Sequence, residues 1–355
     1  MRSVVVRDGV IVVEEQPVPE PGPGQVLVRS RACGICGSDL HMVRHYDEMF
    51  EMRKRSGRAE PDATEAPPIF LGHELAGEVA AHGPGTGTHA VGTRVASVPF
   101  VMGPDGEMVG VGTNEAVYGA FSEYFVLNEA TLIPVPDEVT DEAVALAEPL
   151  AVGVHAVARG DVAADDSVRV IGAGPVGLAV IAALRMRGVE TIVASDPVAG
   201  RRDMAAAMGA SEVIDPTNAD EMARITELAD GSRAVIIECA GVTPLIPSII
   251  ERAPAKACVV FAGVHTADVT ISPAFAMTKE LDLRFTFYYT PEEYAEAFRA
   301  LAADELEWRP MVTGTVGLDG VAEAFDTLFG PNDHVKIMVQ PWRDGGLETV
   351  SGGAS

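Results

Sequence analysis

The chain has 355 residues, 47% of them apolar and 22% charged, with 26 Lys+Arg against 52 Asp+Glu and a net charge of −26. That length suits two domains, and that composition excludes disorder, collagen or coiled coil as a description of the whole. So acidic a surface repels phosphate backbones and anionic lipid, which argues against nucleic acid and membrane surfaces as partners.

The opening residues predict a hairpin turned at Asp8-Gly9, flanked by Val4–Val6 and Val10–Val13. No apolar core with a small-residue cleavage site is visible there, so the cytoplasm is the expected setting. Up to about residue 150 the sequence is rich in Gly, Pro and short Val-containing runs, among them QVLVRSRA, FLGHELAGEVAAHG, GTRVASVPF and AFSEYFVLN. These read as strands of a twisted or barrel-like β domain.

From Val139 the texture becomes Ala-rich, and short apolar runs alternate with helical stretches. The strands expected are Val168–Ile171, Thr191–Ser195, Glu212–Ile214, Ala234–Glu238, Cys258–Ala262 and Leu283–Phe287. Strands and helices in that alternation give a doubly wound, mostly parallel sheet. After Thr290, PEEYAEAFRALA and LDGVAEAFDTLF predict amphipathic helices and HVKIMVQP a last strand. This block is too short for a domain, so it is expected to pack back on the first one. The expected division is 1–149 with 290–341, an inserted 150–289, and a mobile Gly/Ser-rich tail, 342–355.

The first expected strand of the inserted unit runs into Gly172-Ala-Gly174-Pro175-Val176-Gly177 and then a helix. Gly172 would make the tight turn, Gly174 admit a pyrophosphate to the backbone and Gly177 let helix and strand pack closely. Asp196 ends the next strand, 19 residues after Gly177, where a carboxylate accepts from ribose hydroxyls. It would repel a 2′-phosphate, which favours NAD over NADP. Arg201 and Arg202 work against that preference, since either could reach such a phosphate from the next helix.

Four cysteines in a chain this long are not a secreted disulfide framework. Cys36, His73, Glu74 and Glu148 supply the thiolate, imidazole and carboxylate that hold a catalytic zinc. Taken singly, Cys36 also reads as a small buried apolar residue, His73 as a core histidine and Glu148 as a helix-end charge. Cys33 and Cys36 lack the second close pair a structural Cys₄ zinc needs, and the surroundings are not those of a dithiol redox motif.

In order, Cys36-Gly-Ser38-Asp39-Leu-His41, Gly72-His73-Glu74, Glu148-Pro-Leu and the GAGPVG turn ending at Asp196 resemble one family. It is the zinc-dependent branch of the medium-chain dehydrogenase/reductases, the alcohol, polyol and threonine dehydrogenases, and the likeness runs to the closing HVKIMV strand. The resemblance implies a GroES-like catalytic domain, a Rossmann NAD domain, and oxidation of an alcohol to a ketone or aldehyde. It places zinc on Cys36 and His73 with Glu74 or Glu148, Asp39 behind the histidine, Ser38 and His41 as a proton relay, and Lys336 near the pyrophosphate. It also implies a homodimer or homotetramer joined through the edge of the nucleotide-domain sheet, near Leu283–Phe287. No cysteine lies between Cys36 and Cys239, so a structural zinc is not expected.

The stretch 45–68 is longer than the family pattern requires, and Met49, Phe50 and Met52 beside Arg53, Lys54 and Arg55 predict a short helix there. A helix over the substrate mouth and a surface insertion without a role fit it equally. Met42, Tyr46, Met49, Phe50, Phe100, Met102 and Tyr118 would suit an apolar or aromatic alcohol. Glu148-Pro-Leu and the missing cysteines lean towards a secondary alcohol, diol or polyol. The competing readings are a non-redox lyase or epimerase using NAD transiently, and a nucleotide-binding protein without turnover.

Overall fold

The computed structural model describes residues 1–57, 62–103, 106–229 and 232–350. They form two compact units, one of Met1–Glu148 with Val312–Ser355 and one of Pro149–Met311.

The first unit opens with β1 (Arg2–Arg7) and β2 (Val10–Glu15), the expected hairpin, in register Arg7↔Val10 about a turn with Asp8 at φ 50° and Gly9 at φ 73°. Next come β3 (Gln25–Gly34), α1 (Gly37–Arg44), α2 (Tyr46–Arg55), β4 (Ile69–Leu71) and β5 (Glu74–His82). β3 alternates half-buried and buried residues and pairs antiparallel with β5, Gly34 facing Glu74. The remaining strands of this segment are β6 (Arg94–Ala96), β7 (Phe100–Met102), β8 (Met108–Gly110), β9 (Thr113–Asn114), β10 (Tyr124–Asn128) and β11 (Ile133–Pro134). α3 (Asp141–Ala145), capped by Thr140, closes it; α4 (Ala147–Arg159), with Glu148 in its first turn, runs on into the second unit, which begins at Pro149.

The second unit is doubly wound. Its parallel strands are β12 (Ser167–Ile171), β13 (Thr191–Ser195), β14 (Glu212–Ile214), β15 (Ala234–Glu238), β16 (Cys258–Phe261) and β17 (Asp282–Phe285), ordered β14-β13-β12-β15-β16-β17. The order reverses between β12 and β15, the point at which such sheets take a dinucleotide. Leading from β12, α5 (Pro175–Met186) is buried along almost its whole length, as its Ala, Val and Leu content requires.

A later helix, α6 (Pro291–Ala302), also belongs to the second unit, so the chain returns to the first at Val312 and not at 290. Its apolar stripe, Tyr294, Ala297, Phe298 and Leu301, is buried, and Glu293 reaches His155 of α4 at 2.9 Å. Back in the first unit come β18 (Val312–Val316), α7 (Val321–Phe329) and β19 (Lys336–Val339). β19 pairs antiparallel with β3 through Met338↔Gly34 and Val339↔Cys33, which is what makes this unit discontinuous.

The segment after residue 341 is not a free tail as far as it is described. Trp342 donates to the Ser30 carbonyl at 2.9 Å, Leu347 packs on the core, and β20 (Glu348–Thr349) pairs with β18. Residues 351–355, the last of the expected mobile tail, lie outside the described residues, as do 58–61 of the 45–68 stretch. No helix of the described residues is long and apolar enough to cross a membrane.

Candidate metal and nucleotide sites

In the first unit the site begins where β3 ends. Cys36 caps α1, and its backbone N–H donates to Asp39 Oδ2 at 2.9 Å. Asp39 is fully buried, and its other oxygen, Oδ1, faces His73 Nδ1 at 3.5 Å. One carboxylate therefore fixes both the backbone that presents Cys36 and the ring of His73. The ring's far nitrogen, Nε2, lies 3.2 Å from Ser38 Oγ, and the Cys36 side chain acts electrostatically on the same ring. Burial disfavours a charged His73, but Asp39 and then Cys36 outweigh it and hold the imidazole well above its ordinary 6.5.

Ser38 and His41 stand three apart on α1, hence on one face. His41 stacks on His45 with centroids 5.6 Å apart, and its Nδ1 is buried without a hydrogen bond. Burial, with the charges of His45 and Arg44, pushes its pKa down, which suits a ring that passes a proton on.

Glu74 follows His73 but is committed elsewhere. It is fully buried, its Oε1 accepts from Lys336 Nζ at 2.6 Å, and Oε2 lies against Gly34, where a Cβ would come within 1.9 Å. Lys336 also donates to the Ile35 carbonyl at 3.0 Å. Lys336, placed near the pyrophosphate by the resemblance, has a fully buried ammonium whose two bonds both lie within the first unit. Burial disfavours the ammonium, yet Glu74, Cys36 and Glu148 together raise its pKa. The same electrostatic reach places Glu148, 7% exposed, in this neighbourhood.

These donors fit zinc in kind. Three of the side-chain atoms left buried without hydrogen bonds, Asp39 Oδ1, His73 Nδ1 and Glu74 Oε2, belong to residues beside Cys36 and His73. Asp39 is placed as the carboxylate that orients a zinc histidine. Among the described residues no three His, Cys, Asp or Glu side chains are drawn into one closed ligand set. Cys33 is no ligand: it is buried in β3, where burial pushes its thiol well above the ordinary range.

In the second unit each glycine of the turn has a measurable reason. Gly172 has φ 90° and a Cβ there would lie 2.9 Å from Ala240; at Gly177 it would lie 1.9 Å from the Gly172 carbonyl. At Gly174 nothing lies within 4 Å, so the approach to the backbone is open. Pro175 starts α5 and Val176 follows it, with their helix N-terminus at that opening, the arrangement that binds phosphates.

Asp196 is 4% exposed and does more than the sequence suggests. Its Oδ2 accepts from Ala173 N–H at 3.0 Å and its Oδ1 from Val198 N–H at 2.9 Å, so the residue just after β13 holds the glycine turn. Arg202 donates to the Asp196 and Pro197 carbonyls, while Arg201 stands 3.9 Å from Asp196 Oδ2.

With that geometry in view, the comparisons agree on one family. Residues 22–137 match the alcohol dehydrogenase GroES-like domain and residues 175–303 the zinc-binding dehydrogenase model. The (R,R)-butanediol dehydrogenase of Neisseria gonorrhoeae is 30% identical over 349 residues, covering 94% of this chain and 97% of that protein. The chain belongs to the zinc-dependent medium-chain dehydrogenase family. Among its other relatives, the sorbitol dehydrogenase of Gallus gallus is 31% identical over 351 residues, 95% of each chain. A Sinorhizobium meliloti 1021 dehydrogenase structure with NADP bound superposes with a TM-score of 0.81 at 28% identity, covering 96% of this chain and 99% of that one.

This dehydrogenase is accordingly an enzyme that oxidises alcohols with zinc and a nicotinamide cofactor. Nothing in the comparisons supports the lyase, epimerase or non-catalytic readings.

Proposed function

We propose that this dehydrogenase oxidises a secondary alcohol of a diol or polyol, using NAD and a single catalytic zinc. The observation that carries the reading is the Cys36–Asp39–His73 constellation, one buried carboxylate that holds the Cys36 backbone and faces the His73 ring. Cys36, His73 and Glu148 would hold the metal, because Glu74 is already neutralised by Lys336. Zinc supplies a Lewis acid that lowers the pKa of a ligating hydroxyl. Ser38 would receive the proton that the substrate loses while giving up its own towards His41, on the same face of α1, which would pass it to solvent.

The diol or polyol is supported by relatives named for butanediol and sorbitol. Met42, Tyr46 and Phe50 are 5–8% exposed core residues and Tyr118 packs edge-on to Phe70. This weakens the case for an aromatic alcohol. α2 lies in the 45–68 stretch, and Tyr46 ties it down by donating to the Ala66 and Pro67 carbonyls. NAD over NADP rests on Asp196. The absence of a structural zinc rests on the lack of cysteines between Cys36 and Cys239. A reducing, cytoplasmic setting is supported by four unpaired cysteines.

A homodimer or homotetramer, joined edge to edge at β17, is supported by Phe285 and Phe287, each 66% exposed, and Met277 at 73%. Such an apolar edge is what a second copy would cover.

The test is a panel of primary, secondary, aromatic and polyol substrates, followed by nicotinamide reduction with NAD and NADP in parallel, on protein of measured zinc content. Turnover of diols or polyols with NAD is the expected result. Turnover in verified zinc-free protein, or confined to aromatic alcohols, would overturn the proposal.

A further inference from the structure

The second unit carries a buried acid that the functions above do not use. Glu238, the last residue of β15, has no exposure. Its Oε1 accepts from the Ala240 and Gly241 N–H groups, both at 2.8 Å, and its Oε2 lies 2.8 Å from His265 Nε2. A carboxylate only accepts, so Nε2 carries the hydrogen and Nδ1 is left facing Thr243 Oγ1 at 3.4 Å. Phe261 meets the ring edge-on at 6.2 Å. The turns after β15 and β16 are locked together here. A Cβ on Gly263 would lie 2.4 Å from Gly241 N and 2.7 Å from Glu238 Oε2.

The location gives the pair its meaning. β12 to β14 and β15 to β17 are the two mononucleotide-binding halves of a doubly wound sheet, meeting at β12/β15. In the first half Asp196 holds the glycine turn through Ala173 N–H. In the second, Glu238 holds the corresponding turn through Ala240 and Gly241, and Ala240 is what a side chain at Gly172 would strike. Beside this turn, Val242 is 47% and Val264 45% exposed, next in sequence to Thr243 and His265. Two exposed apolar residues, next in sequence to Thr243 and to a 12% exposed imidazole, suit a flat aromatic ring that carries an amide.

We infer that His265, held by Glu238, is a positioning residue for the nicotinamide half of the dinucleotide. The inference rests on the nicotinamide reading of the second unit. Glu238 fixes the imidazole, and the imidazole fixes the Thr243 hydroxyl and the valine-walled rim. Removing the ring would loosen the nicotinamide half and leave the adenine half, on the far side of the glycine turn, unaffected.

The full-length protein is titrated with NADH and with ADP, which occupies only the adenine side, as wild type, His265→Leu and His265→Gln. His265→Leu frees the Thr243 hydroxyl and the turn beside it and is expected to weaken NADH about tenfold, or about 1.4 kcal/mol. ADP affinity should stay within about twofold, and KM should rise for the dinucleotide but not for the alcohol. The Gln amide can donate to Glu238 and should restore most of the loss. Unchanged NADH binding in His265→Leu, equal weakening of NADH and ADP, or no restoration by Gln would each overturn the inference. Wild type that binds ADP but not NADH would sink the nicotinamide reading, and this inference with it.

Discussion

Lys336 Nζ and Glu74 Oε1 lie 2.6 Å apart, and neither side chain has any exposure to solvent. The register explains the meeting: Gly34 of β3 faces Glu74 on one side and Met338 of β19 on the other, and having no side chain it leaves room for the pair. Lys336 also bonds the Ile35 carbonyl, one residue before Cys36, so the ion pair steadies the strand end that presents the thiol.

The pair therefore separates two roles for the neighbouring carboxylates. Lys336→Met leaves a buried, unpaired Glu74 and should lower stability by about 3–5 kcal/mol in urea denaturation, with much of the loss recovered in the double variant Glu74→Gln/Lys336→Met. Zinc content tells the rest: Glu74→Gln should hold metal near the wild-type level, whereas Glu148→Gln should lose it. Loss of zinc in Glu74→Gln with retention in Glu148→Gln would exchange the two assignments.

Glu129 gives a pH signature. Its Oε1 accepts from the N–H groups of Gly87, Thr88 and His89 at 2.9, 2.8 and 3.3 Å. Burial pushes this carboxyl up, but the three backbone bonds more than offset it, so its pKa lies below the ordinary 4.5. A depressed carboxyl contributes stability above its unfolded pKa and loses it as pH falls through the folded one. The Tm gap between wild type and Glu129→Gln should thus hold steady from neutral pH to about pH 5 and close below about pH 4.5. A gap unchanged in strong acid would show that the turn is held by something else.

Much of this was legible in the residues, and the exceptions have physical causes. All six strands of the second unit are found where apolar runs alternate with helical sequence, because a parallel sheet buried on both faces needs such runs. The periodicity of PEEYAEAFRALA shows which face of α6 is buried but not against what, so its membership of the second unit was hidden. The resemblance assigns Lys336, in the otherwise apolar HVKIMV, to the pyrophosphate; its ion pair with Glu74 depends on the β3–β5 and β3–β19 registers, which local sequence does not encode. Glu238 announced itself only as an acid ending an apolar strand, and its histidine stands 27 residues on. The strand at Glu348–Thr349 is too short to show any alternation.

Asp196 holds the glycine turn and, in the proposed function, also selects the cofactor; the two roles can be parted by choosing the replacement. Asp196→Asn removes the charge but keeps an oxygen for Ala173 N–H, whereas Asp196→Gly removes both. Without the carboxylate a 2′-phosphate is no longer repelled and Arg201, now 3.9 Å from it, is released to meet that phosphate. In the Asn variant the ratio of kcat/KM for NADP to that for NAD should rise about tenfold, equivalent to about 1.4 kcal/mol, with Tm close to wild type. The Gly variant should show a similar change of preference together with a lower Tm and weaker binding of both dinucleotides, because the glycine turn has lost its anchor. A cofactor ratio unmoved in Asp196→Asn would mean that discrimination lies with other residues and that Asp196 acts on the turn alone.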